Sequence, residues 1–175
     1  MRPFVILALP RTGTTLLVEA LSAHPEIPNV IHEFRGGLWR FIKHPYVLSN
    51  YRKWWMRLPF ITKIHYYRED AIAGAKSMLL MHYQFPPGAA TLPIDEVLKL
   101  AKKRKQWDER FRKIADYTIT YEGLTNGKEI DLFPEKLSRW LCDILKVGQW
   151  AFCTTHVKSR KGALKNESEV QCLRV

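Results

Sequence analysis

The chain has 175 residues and a net charge of +11, from 28 Lys and Arg against 17 Asp and Glu. That length suits one domain, and a composition 46% hydrophobic and 12% aromatic is too apolar for a disordered chain. No apolar run approaches the ~20 residues of a membrane helix, and the short stretch ending at Pro10-Arg11 fits a secretory leader poorly.

Three cysteines, Cys142, Cys153 and Cys172, lack CxxC spacing and suggest neither a disulfide framework nor a zinc site. The expectation is a soluble, cytoplasmic, basic domain with an anionic partner. In chain order, residues 4–9 are continuously apolar, the pattern of a strand buried on both faces of a parallel sheet. Pro10 ends the run, and Arg11-Thr12-Gly13-Thr14 form a short polar turn. A helix is predicted over 15–23, with Leu16, Leu17, Ala20 and Leu21 on one face and His24-Pro25 at its end.

Residues 26–59 show no clear period, but interleave Tyr46, Tyr51, Trp54 and Trp55 with Arg52, Lys53 and Arg57. A second strand is expected over 60–67, then a helix over 70–83 with Asp70 as N-cap and Ile72, Ala75, Leu79 and Tyr83 as its apolar stripe. A Pro/Gly loop over 84–93 leads to a long helix over 94–115. Ile94, Val97, Leu98, Ala101, Trp107, Phe111 and Ile114 are its apolar positions, and Lys102-Lys103-Arg104-Lys105 reads as a solvated face. A short strand over 117–121 and a helix over 134–145 follow, with Pro134 in the helix's first turn and Gly148 beyond its end.

Residues 154–175 are basic and polar, and no repeat or linker divides the chain. This alternation predicts a single α/β domain, a three-layer sandwich like the P-loop proteins. Its small parallel sheet is flanked by helices, and its ligand lies at the carboxyl ends of the strands.

The turn after the first strand carries the most chemistry. A loop entering a helix directs unpaired N–H groups and the positive end of the helix dipole at one point. Gly13 permits close approach of a phosphate, Thr12, Thr14 and Thr15 offer hydroxyls, and Arg11 offers a planar charged fork. Against the Walker pattern G-x-x-x-x-G-K-[ST], Ala8 stands at the first glycine and Thr14 at the lysine. Loss of that lysine argues against ordinary ATP or GTP hydrolysis and disfavours a kinase-like transferase.

Pro10-Arg11-Thr12-Gly13-Thr14-Thr15-Leu16-Leu17 resembles the 5′-phosphosulfate loop, close to Pro-Arg-Ser-Gly-Thr-Thr, of sulfotransferases that use 3′-phosphoadenosine 5′-phosphosulfate (PAPS). Arg68-Glu69-Asp70, with Ser77 nine residues after the arginine, is similar to the corresponding segment of the bacterial trehalose-type enzymes. Tyr121-Glu122-Gly123-Leu124 is similar to the family's Tyr-Glu-Asp-Leu, and Arg160-Lys161-Gly162 to its closing Arg-Lys-Gly loop. The four segments occur in the family's order, in a shortened chain whose compression falls between the first helix and the second strand.

The resemblance implies transfer of a sulfuryl group from PAPS to a hydroxyl of a carbohydrate or other small acceptor, leaving 3′-phosphoadenosine 5′-phosphate. The acceptor can itself be anionic, and neither a metal nor a specific nucleic acid is implied. Arg11, Thr12, Gly13, Thr14 and Thr15 then belong to the 5′ end of the nucleotide. Arg68, Ser77, Arg160, Lys161 and Gly162 belong to its 3′ end, with 154–175 closing over it.

His32-Glu33-Phe34 is similar to the segment supplying the trehalose-type base, so Glu33 is the expected general base and His32 the second candidate. Glu122 is expected to brace a strand end, and Trp54, Trp55 and Trp107 either stack on the ligand or fill the core. The competing expectation is a non-catalytic nucleotide- or nucleic-acid-binding domain, which the charge and the basic-aromatic run would suit.

Overall fold

In strand β1 (Phe4–Ala8) every residue is buried, as a strand covered on both sides requires. The structure is a computed structural model, and it describes residues 2–50, 53–82, 92–125 and 134–149. Alternate side chains of β1 leave on opposite faces. Phe4, Ile6 and Ala8 pack with Leu17, Leu21, Leu124 and Leu141, while Val5, Leu7 and Leu9 pack with Phe41, Trp55 and Phe111.

Three further strands, β2 (Tyr46–Ser49), β3 (Thr62–Tyr67) and β4 (Tyr117–Thr120), complete a parallel sheet in the order β2-β1-β3-β4. Helices α1 (Thr14–Ser22), α5 (Tyr121–Thr125) and α6 (Glu135–Leu145) contribute to the first core. Helices α2 (Leu38–Lys43) and α4 (Ile94–Arg112) contribute to the second, and α3 (Ala71–His82) packs on α4. The expected α/β architecture, a parallel sheet between helical layers, is therefore present.

Because β1 pairs with both β2 and β3, the chain leaves β1 to one side and returns on the other. In α/β proteins such a reversal is where ligands are held, outside the carboxyl ends of the strands.

Four details differ from the sequence reading. Strand β2 lies in the stretch without period: it has four residues, and its register Phe4↔Tyr46 to Leu7↔Ser49 is supplied by β1. In α3, Ile72 is exposed and Ala71 takes the buried place. In α4, Ile94 and Leu98 are exposed, because the amino-terminal half meets only α3, through Ala71, Ala75 and Leu79. Finally, Arg104 does not belong to a solvated face: it is 4% exposed, while Lys102, Lys103 and Lys105 around it remain in solvent.

Candidate functional site

The loop between β1 and α1 turns sharply, with both Arg11 (φ 65°) and Gly13 (φ 81°) in the left-handed region. A non-glycine residue held there stores strain, of a kind that gathers at ligand sites. Two carbonyls are drawn inward. Thr12, fully buried, donates its hydroxyl to Leu9 O at 2.7 Å, and the Arg104 guanidinium donates to Pro10 O at 2.8 Å. In a trans peptide the C=O and the following N–H point opposite ways. Holding Pro10 O inward therefore turns the Arg11 N–H toward the other side.

Gly13 is the N-cap of α1 and has no side-chain cap. The first intrahelical bond runs from Leu17 N to Gly13 O, so the N–H groups of Thr14, Thr15 and Leu16 precede the helix ladder. Thr14 is buried and its Oγ1 lies 3.1 Å from His32 Nε2; Thr15 is exposed. A Cβ on Gly13 would meet the Tyr121 ring at 2.5 Å and the Tyr66 hydroxyl at 3.1 Å, so only glycine fits.

That Tyr66 hydroxyl is buried and has no hydrogen-bond partner among the described residues. Burial, aided by Tyr121 and Glu122, pushes its pKa far above the ordinary phenol range, so it stays a donor.

Arg11 reaches across the loop and donates from Nε to Ser77 Oγ at 2.9 Å. The two residues, assigned by the resemblance to opposite ends of a nucleotide, thus meet here. Arg68 follows β3, with its guanidinium 5.0 Å above the Tyr121 ring and Nε 3.8 Å from Glu122 Oε1. Glu122 also accepts from the N–H groups of Glu69 (3.0 Å) and Asp70 (3.4 Å), and Asp70 Oδ1 accepts from Ala73 N at 2.8 Å. Glu122 thereby braces the entry to α3, in keeping with its expected structural role, and Asp70 is the N-cap.

His32 and Glu33 sit on a bulge beside the carboxyl end of β2. The Ile31 N–H donates to Tyr46 O and Leu48 N–H to Ile31 O, after which Phe34 N–H donates to Leu48 O. The two residues between these anchors are pushed outward, with Glu33 at φ 54°. Glu33 is exposed and enters no ion pair among the described residues. Arg160, Lys161 and Gly162, with the rest of 154–175, lie outside the described residues.

Arg104, Tyr66 and Tyr121 had no assigned role at this site. Arg104 was discoverable in principle. Val97, Ala101, Arg104, Asp108 and Phe111, the buried positions of α4, follow one another in alternate steps of four and three. Burial and Arg68 lower its pKa while Asp108 raises it, and a guanidinium remains charged throughout. Asp108 in turn contacts His65 Nε2 at 3.2 Å. Trp55 is core, stacked on Phe41, and Trp107 packs on Phe111.

The first N–H groups of α1 are free of side-chain caps, and the buried Tyr66 hydroxyl lies beside the same turn, an arrangement rich in unpaired donors. The missing Cβ of Gly13 lets the Tyr121 ring close against the turn. A separate cleft of about 660 Å³, lined by Arg2, Phe60, Asp116 and Tyr117 among others, lies at the opposite, amino-terminal end of the strands.

No protein-family model matches the chain, and no curated protein matches it. Among solved structures it is similar to the sulfotransferase domain from the curacin biosynthetic pathway. The two are 17% identical, with 83% of this chain and 74% of that one covered and a TM-score of 0.47.

Proposed function

We propose that the protein is a sulfotransferase that moves the sulfuryl group of PAPS to a hydroxyl of a carbohydrate or other small acceptor. The observation that carries this reading is the phosphate loop itself: its carbonyls are held inward, its helix start is uncapped, and Arg11 and Ser77 meet across it. An anion there would be met by charge-assisted hydrogen bonds from a fixed scaffold. The absence of a Walker lysine separates this site from ATP chemistry, and the ordered resemblance of the other segments favours a sulfonucleotide.

In the reaction the S–O bond to the phosphate breaks, an S–O bond to the acceptor forms, and the acceptor's proton passes to a base. Arg11 and the first N–H groups of α1 stabilise charge on the departing oxygen. Glu33 accepts the proton: it is exposed, outside any described ion pair, and held on the bulge beside the site. His32, tied to Thr14, orients the start of α1 and is the second candidate for that role.

The test measures sulfuryl transfer from PAPS across a panel of sugar acceptors, with 3′-phosphoadenosine 5′-phosphate binding measured in parallel. Arg11→Ala should lower turnover by about 10²–10³-fold and nucleotide affinity by far less. Glu33→Gln should keep the affinity and lose transfer by about 10²–10⁴-fold. Near-normal turnover in Arg11→Ala, or wild-type protein that binds the nucleotide without transfer to any acceptor, overturns the reading in favour of a binding domain.

A further inference from the structure

The basic-aromatic stretch after the bulge is not used by the proposed reaction. From Phe34 to Arg68 the sequence contains no Asp or Glu, although the chain as a whole has 17. Helix α2 and the 3₁₀ turn Trp54–Arg57 lie in this stretch and pack on one another, with Phe41 and Trp55 stacked at a centroid distance of 4.5 Å. Phe41 and Trp55 are the inward residues of the pair, both buried in the second core.

Their neighbours point outward. Trp39 is 82% exposed, Trp54 71% and Ile42 54%. Trp39 and Ile42, three apart, share a face of α2, and Trp54 and Arg57 share a face of the 3₁₀ turn. Arg40, Lys43 and Arg57 are exposed around them. What sets Trp39, Ile42 and Trp54 apart from other exposed apolar residues such as Ile94 and Leu98 is that they include the two most exposed tryptophans among the described residues, on two elements packed together, with basic neighbours.

We infer that this face docks the protein on anionic lipid membranes, with Trp39, Ile42 and Trp54 entering the headgroup boundary and Arg40, Lys43 and Arg57 meeting the lipid phosphates. Tryptophan with basic residues at its flank is the composition of interfacial segments. The absence of any carboxylate over the whole stretch supplies the charge complementarity. Ile42 favours a bilayer over a nucleic acid, because an aliphatic side chain gains from the acyl boundary and nothing from stacking on bases. No helix among the described residues is long and apolar enough to cross a membrane, so the contact is peripheral.

The test is flotation of the full chain with phosphatidylcholine vesicles, with and without phosphatidylglycerol, and it is independent of the catalytic reading. Wild type should float only with the anionic vesicles. Trp39→Ser with Trp54→Ser should weaken partition about tenfold, and Lys43→Glu with Arg57→Glu should weaken it about tenfold or more. Lys102→Glu with Lys103→Glu, the same charge change made on α4, should leave partition within about twofold.

Three results would overturn the inference. One is an absence of vesicle binding by wild type. Another is equal loss in both charge variants, which would show attraction by net charge alone. The third is a single-stranded oligonucleotide, or a second copy of the chain, held through Trp39 and Trp54 while vesicles are not.

Discussion

At the scale of one residue, Tyr66 carries a cost to the molecule's own stability. Its ring belongs to the first core, yet its hydroxyl is buried without a partner among the described residues, beneath Gly13. A buried hydroxyl without a partner costs about 1–3 kcal/mol. Tyr66→Phe keeps the ring and removes that cost, so unliganded protein should gain about 1 kcal/mol in denaturant unfolding. The same variant should bind 3′-phosphoadenosine 5′-phosphate more weakly, by about 1 kcal/mol or roughly fivefold, if the hydroxyl completes its bonding with an anion in the loop. Lower stability with unchanged binding would instead assign the hydroxyl a purely structural partner. Arg11, in the turn, and Glu33, on the bulge anchored to β2, also hold left-handed backbone conformations, as does Lys146 at the end of α6.

At the scale of elements, α4 does more than cover the sheet. It carries two buried charged residues: Asp108 contacts His65 of β3, and Arg104 donates to the carbonyl of Pro10 in the β1–α1 loop. Gly74 of α3 makes room for this, since a Cβ there would lie 3.1 Å from the Arg104 Nε and Nη2 atoms. Arg104→Met retains most of the side-chain volume and loses the bond, which should cost about 1.5–3 kcal/mol of stability, the usual worth of a charged hydrogen bond. Nucleotide affinity should fall about tenfold, equivalent to 1.4 kcal/mol, as the loop loses its inward carbonyl.

Because that variant changes both readouts, Gly74→Ala separates them. Alanine favours a helix interior over glycine by about 1 kcal/mol, yet here it displaces the guanidinium. Stability held or raised, together with weakened nucleotide binding, would establish loop positioning. Binding unchanged in Gly74→Ala would confine Arg104 to a structural role.

At the scale of the whole molecule, what could be read from sequence depended on whether a segment's pattern was local. The β1-loop-α1 unit was legible because a continuous apolar run, a proline and a glycine turn are all properties of neighbouring residues. β2 was not, since its four residues become a strand only through their register with β1. The Arg11–Ser77 bond joins residues 66 apart, and Arg104 hides among three solvated lysines, so both needed the fold.

The parallel sheet gathers the carboxyl ends of all four strands at one end, and with them Arg11, Arg68 and Arg104. A net charge of +11 attracts any polyanion, so binding alone does not distinguish a built site from bulk attraction. Thermal unfolding with two nucleotides does. At a hundredfold its Kd, a ligand of the native state adds about 2.7 kcal/mol, and a domain of this size gains about 2–4 °C per kcal/mol. Saturating 3′-phosphoadenosine 5′-phosphate should therefore raise Tm by roughly 5–10 °C, with ATP at the same free concentration giving a smaller rise. In about 1 M salt the screening length falls to about 3 Å. The ATP shift should then vanish, while bonds made inside the loop, close and partly desolvated, keep most of the other. Equal shifts for the two nucleotides, or loss of both in salt, would mean that the charge of the surface and not the geometry of the loop selects the ligand.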